Sequence, residues 1–294
     1  MPDVHRAGPA GLRAVHRAGG DRPVAGPRPD APRVTHPTAA GWRDAAGDLL
    51  LGARCHGCGR PAWTLCDGCR ADLAALRPAP RAPDPCPDGF PRTWSAGPYG
   101  RLARNLVSAH KERSALGLTT LLGEALALAV LGLLDESGLL DGGGGDAAPV
   151  HLVPVPSARS AVRARGFDAG LALARAAARR LPRARAAPLL VPARRVADQS
   201  GLGALERHAN LAGAFRLRRR WWSHPDRRGP AAGRGVVVVV DDVVTSGASL
   251  VEAVRALEAG GVEVLGAATV AATVRRHRAS GPDAPTSWAV SGWV

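Results

Sequence analysis

Apolar and polar positions along the chain follow two regimes. From Val150 onward, short apolar runs alternate with helical stretches. Val150 to Val155, Val236 to Val240 and Val262 to Val270 predict strands, while Phe167 to Leu181 and Ala248 to Ala259 predict helices. Such alternation argues for an α/β fold, a mostly parallel sheet with helices on its faces. Five consecutive valines at 236–240 suit a central strand buried on both sides. Upstream, residues 99–136 read as two helices, and leucines at the helical period mark Ala115 to Leu134 as the more apolar one. That window is long enough to be weighed as a membrane span. It contains Glu124 and three glycines and leads into Asp135 and Glu136, so a buried or interface helix is expected and no membrane span.

These patterns divide the chain. Residues 1–47 are rich in Pro, Gly, Ala and Arg without apolar periodicity. A segment of that kind cannot bury enough surface to offset the entropy of ordering, so a disordered leader is expected. A start codon placed too far upstream would read the same way. Residues 48–90 hold a cysteine module, 91–149 a helical connection with the glycine-rich break Asp141 to Asp146, 150–275 the α/β domain, and 276–294 a tail in which Trp288 and Trp293 can pack back. The first residues show no charged start followed by an apolar stretch and a cleavage site, and four of the five cysteines cluster, which points to a cytoplasmic, reducing location.

The net charge of +14 by itself proves little, because arginine, alanine, glycine and proline are abundant throughout. Its placement says more. Residues 157–234 hold 18 arginines against four acids, an excess equal to that of the whole chain, and a polyanion is the ligand such a region fits. Trp221-Trp222 lies inside this stretch and either stacks on bases or packs as an insertion.

Cys55-His-Gly-Cys58 and Cys66-Asp-Gly-Cys69 are two Cys-x2-Cys pairs separated by seven residues. Four thiolates so spaced can close a tetrahedral shell around Zn²⁺, with Gly57, Gly59 and Gly68 letting the backbone turn around each pair. The set offers no open position, so the role it suggests is structural. Two disulfides or unligated thiols are the competing readings, and His56 can replace a ligand. Cys86, in Cys86-Pro-Asp-Gly89, stands outside the pairs as a bystander thiol.

The densest chemistry lies in Val236-Val-Val-Val-Val-Asp241-Asp242-Val-Val244-Thr245-Ser246-Gly247-Ala248-Ser249. A buried strand ends in two carboxylates, and a loop of Thr, Ser and Gly opens a helix. Backbone N–H groups at 245–249 can face a phosphate, and the helix dipole favours its charge. Two adjacent acids at the carboxyl end of a parallel strand suit two adjacent ribose hydroxyls. A solvated acid pair followed by an ordinary helix cap is the alternative.

This segment resembles the signature of type I phosphoribosyltransferases, and its surroundings resemble one branch of them, the ComF family of competence-associated proteins. The similarity spans residues 48–272. It takes in the four cysteines, the region of Lys111, Val153-Pro-Val-Pro156, Arg163-Ala-Arg-Gly-Phe-Asp168, and Gln199-Ser-Gly-Leu with Arg207, Asn210 and Ala214-Phe215 following.

The resemblance implies a type I phosphoribosyltransferase fold with an N-terminal zinc module, binding 5-phosphoribosyl 1-pyrophosphate. By it, Asp241 and Asp242 hold the ribose hydroxyls, while Val244, Thr245, Ser246, Gly247, Ala248 and Ser249 cradle the 5-phosphate. Pro156-Ser157-Ala158-Arg159 takes the place of the pyrophosphate loop. Arg163, Arg165, Gln199 and Arg207 belong to a hood over the active site, where guanidinium groups match pyrophosphate oxygens bidentately. The implied reaction displaces pyrophosphate from the anomeric carbon with a nitrogen nucleophile, assisted by Mg²⁺. Purine-salvage relatives carry an acid where Thr245 stands, which argues against a purine acceptor. A ribose-phosphate sensor without catalysis is a second reading. The competence association implies a third, a DNA-uptake accessory with single-stranded DNA and a DNA-uptake helicase as partners.

Overall fold

The computed structural model describes residues 53–112, 115, 117–140, 148–194, 210–218 and 235–273. The leader, the glycine-rich break, Gln199, Arg207, Trp221-Trp222 and the tail lie outside the described residues. After the cysteine pairs come α1 (Asp67–Ala74), β1 (Ala79–Pro80), β2 (Thr93–Pro98), α2 (Arg101–Glu112) and α3 (Leu118–Glu136). The second half holds β3 (Val150–Pro154), α4 (Arg159–Arg165), α5 (Ala169–Ala178), β4 (Ala184–Ala186), β5 (Leu190–Pro192), β6 (Phe215–Leu217), β7 (Val236–Val244), α6 (Ala248–Glu258) and β8 (Gly266–Ala272).

Six strands form one sheet in the order β1-β2-β8-β7-β3-β4, and every pairing except β1 with β2 is parallel. A mixed α/β fold with a mostly parallel sheet is therefore what the alternating pattern produced. Side chains alternate along β7, as the strand period requires. Val238 and Val240 enter a core with Leu118, Leu122, Leu126 and Leu133 of α3, whereas Val237 and Val239 enter another with Leu250, Ala253 and Leu257 of α6. Burial on both faces is why the run is unbroken valine. Each such side chain contributes on the order of 1.5–3 kcal/mol.

Helix α3 is long and apolar enough to cross a membrane by length and composition. In the fold its leucines cover the sheet, and ten of its residues are buried. Gly123 allows α5 to approach closely, since a Cβ there would lie 2.3 Å from that of Ala176. Strand β2 comes from the stretch read as a helical connection, and it pairs with β8 from Thr93 opposite Ala267 to Pro98 opposite Ala272.

Candidate functional site

Strand β7 does not stop at the valines. It continues through the acids to Val244, because β8 offers a ladder that far, with Asp241 opposite Thr269, Val243 opposite Ala271 and Val244 opposite Ala272. Alternation then sends the two carboxylates to opposite faces. Asp241 lines an open concavity together with Val243, Thr245, Ser246, Gly247, Ala248, Ser249 and Leu250. Asp242 is 5% exposed and turns toward α2, where the Lys111 ammonium pairs with its Oδ2.

The loop that closes the concavity is shaped by Gly247. Its φ of 76° is left-handed, and it forms the N-cap of α6. An added Cβ would meet Phe90 Cδ2 at 2.7 Å and Pro83 Cγ at 3.1 Å. The segment before β2 therefore lies against the loop, and only glycine satisfies both the backbone angle and that contact. Thr245 is exposed and Ser246 and Ser249 are half-buried, so their backbone faces an accessible space at a helix N-terminus.

Electrostatics follow from this placement. Burial and the neighbouring Asp242 push Asp241 up to about 7, against the opposing pull of Lys111 and the N–H of Asp242, which donates to Asp241 Oδ1 at 2.8 Å. Burial disfavours the Lys111 charge, but Asp242 and Asp241 outweigh it and hold its pKa above the ordinary value. The adjacent His110 is 1% exposed. Burial lowers its pKa, Asp242 opposes, and Lys111 and Arg165 lower it further, so the ring is neutral at pH 7. Its Nε2 shares a hydrogen bond of 3.0 Å with Thr119 Oγ1, and its ring meets Phe167 edge-on at 5.6 Å.

The strand neighbouring β7 delivers a second loop. Val155 N donates to Val240 O at 3.0 Å, which brings Pro156-Ser157-Ala158 beside the end of β7. Ser157 Oγ donates to Asp168 Oδ1 at 3.0 Å, and the same carboxylate caps α5 by accepting from Leu171 N. In α4, Arg159 and Arg163 are exposed, whereas Arg165 is half-buried. The Nε of Arg165 is buried and meets no hydrogen-bond partner among the described residues.

An acid pair near the carboxyl end of a parallel strand, a glycine loop opening a helix, and a second loop from the adjacent strand thus lie together at the carboxyl edge of the sheet. Residues 168–292 match the phosphoribosyl transferase domain. The match supports the type I phosphoribosyltransferase family and phosphoribosyl transfer as the general chemistry. No curated protein matches the chain. The phosphoribosyl transferase match takes in the acid pair, the Thr245 to Ser249 loop and α6, whereas Pro156 to Arg165 and the cysteine pairs precede it.

The four cysteines come together beside α2. Their Sγ atoms all lie within 4.8 Å of one another. Sulfurs about 2.3 Å from Zn²⁺ in a tetrahedron stand about 3.8 Å apart, so the set fits that ion. His56 is not part of the group. Burial pushes the Cys55 thiol up, but the backbone N–H groups of Cys66, Cys58 and Gly57 outweigh it and bring it to about 6. Gly57 N and Cys66 N each donate to Cys55 Sγ at 3.3 Å, bonds that also steady a metal-bound thiolate. Cys86 sits apart on an exposed loop, its thiol raised by burial and by Asp88.

Sequence reasoning placed no role on Phe90 or Pro83, and it brought in Lys111 only through the family resemblance. The lysine carried one legible signal. It is the lone lysine in a chain whose other 38 basic side chains of this kind are arginine.

Proposed function

We propose that the chain binds 5-phosphoribosyl 1-pyrophosphate at the end of β7 and transfers its phosphoribosyl group to a nitrogen nucleophile, as a ComF-type phosphoribosyltransferase. One observation carries the reading: Asp241 and the Thr245 to Ser249 loop line the same open concavity at the N-terminus of α6. The loop amides take the 5-phosphate, and Asp241 takes the ribose hydroxyls, with Asp242 behind it paired to Lys111. Pro156 to Arg159 face the pyrophosphate, with Arg163 and Arg165 behind them; Gln199 and Arg207, outside the described residues, are assigned to the hood by the family resemblance alone.

In the transfer, the bond from the anomeric carbon to a pyrophosphate oxygen breaks while the acceptor nitrogen forms its bond to that carbon. The donor set of carboxylate and hydroxyl oxygens suits a hard cation, and Mg²⁺ entering with the substrate would supply neutralisation of leaving-group charge. The chain's own residues supply position and charge. Arg165 is suited to the leaving group, because a buried donor without a partner gains most from an anionic oxygen. The hydroxyl of Thr245 in place of an acid directs the reading to an acceptor other than a purine. Zinc at the four cysteines is structural, and the reduced thiols suit a cytoplasmic protein.

Calorimetric titration with Mg²⁺ and 5-phosphoribosyl 1-pyrophosphate tests the reading. Binding is expected for the natural protein, with a loss of at least about tenfold in the Asp241→Asn/Asp242→Asn variant. Heat from neither protein would overturn it. Single-stranded DNA, matched to the arginine excess of residues 157–234, would then be the ligand to try.

A further inference from the structure

Helix α2 touches both special sites of the molecule. At its start, Leu102 packs against the cysteine hairpin: a Cβ on Gly57 would lie 2.7 Å from Cys69 Sγ and 2.8 Å from Leu102 Cδ1. One turn later, Asn105 Nδ2 donates to Gly57 O at 2.8 Å. Gly57 lies within the first Cys-x2-Cys pair, and its own N–H donates to Cys55 Sγ. At the other end of the helix, Lys111 pairs with Asp242. From Leu102 to Lys111 the helix rises about 14 Å. Leu106, Val107, Ala109 and His110 are buried between those ends and tie the helix to the core along its length.

We propose that α2 is a strut through which metal occupancy at Cys55, Cys58, Cys66 and Cys69 sets the position of Lys111 on Asp242, and with it the affinity of the acid pair's site for a phosphoribosyl ligand. The identity of that ligand rests on the function proposed above; the coupling itself does not. With metal bound, the hairpin carrying Gly57 is held rigid, Asn105 and Leu102 have a fixed surface to dock on, and Lys111 neutralises Asp242. The site then carries one net negative charge fewer where phosphate must approach. Without metal the hairpin loosens, Lys111 loses its registration, and the unshielded acids repel a phosphate ester. Lys111 and Asn105 are positioning residues here: the first acts through Asp242, the second through Lys111.

The test uses the full-length, zinc-loaded protein and two readouts. The first is the affinity for Mg²⁺ with 5-phosphoribosyl 1-pyrophosphate. The second needs no ligand and follows the carboxyl titration of Asp241 by carbon-13 NMR. The charged and titratable groups around the pair are Lys111, Arg165 and His110, so Lys111→Gln reports the lysine separately from the other two. Lys111→Gln is expected to move the Asp241 midpoint upward by about one pH unit. Asn105→Ala, with its metal content checked, and metal removal by a chelator are each expected to move it the same way by less. In the Lys111→Gln background both should have no further effect, and ligand affinity should follow the same non-additive pattern.

Equal shifts from Asn105→Ala with and without Lys111 would overturn the strut, as would an Asp241 midpoint unmoved by metal removal in a protein whose circular dichroism is unchanged. If chelation unfolds the chain, the Asn105→Ala and Lys111→Gln cycle alone decides. Absence of ligand binding combined with the expected NMR pattern would sink the proposed function and leave the coupling standing.

Discussion

Asp241 carries an electrostatic cost that its neighbours only partly relieve. Its folded-state pKa of about 7 lies above the ~3.9 of an unfolded aspartate, so the folded protein holds this proton more tightly than the unfolded one. The stability linked to it is therefore full below about pH 4 and is lost as the pH rises through 7. Asp241→Asn removes the charge but keeps the shape. Its midpoint of thermal unfolding should match the natural protein at pH 4 and exceed it by a few degrees at pH 8, as scanning calorimetry would record. A gain independent of pH would mean that the carboxylate is not the strained group. The acid pair was legible in the sequence because its pattern is local, two acids and a Thr-Ser-Gly loop within fourteen consecutive residues. Lys111 and Phe90 were not, because only the folded topology carries them to that loop.

At the scale of elements, the periodicity of 2 and of 3.6 identified β3, β7, α3, α5 and α6, since each buries a face wide enough to leave a pattern. It missed β1, β4, β5 and β6, which run for two or three residues each and leave none, and it missed β2, whose six residues fall in the stretch read as a helical connection. It also ended β7 too early, because an Asp pair reads as a strand terminus until the ladder from β8 is known. The small antiparallel pair of β5 and β6 is held by Glu252 of α6, a 4% exposed carboxylate that accepts from Phe215 N and pairs with Arg255. No run of residues announces such a tie. The turn from β7 to α6 makes a sharper claim. Gly247→Ala places a side chain at a φ of 76° and against Phe90. It should cost about 2 kcal/mol in urea unfolding and weaken phosphate-ester binding. Unchanged values of both would show that the loop tolerates another backbone path.

For the whole molecule, the cysteine module and the parallel sheet share one core: Cys55, Cys69 and Leu65 pack in the same apolar cluster as Leu106, Leu126 and Val238. Cys66→Ser should therefore lose the metal, measured as zinc per chain by atomic absorption, and lower the unfolding midpoint of the entire unit rather than of the module alone. Stoichiometric zinc in that variant would count against a four-thiolate shell. The order of strands has a further consequence, for the time at which the protein can fold. β8, the last described strand, lies between β2 from the first half and β7 from the second. As the ribosome extends the chain, β2 waits beside an empty edge until residues 266–272 emerge, and only then can the two halves close on one another. That strand is the keystone, and a nascent chain that stops short of it has the pieces of both sites without the wall that joins them.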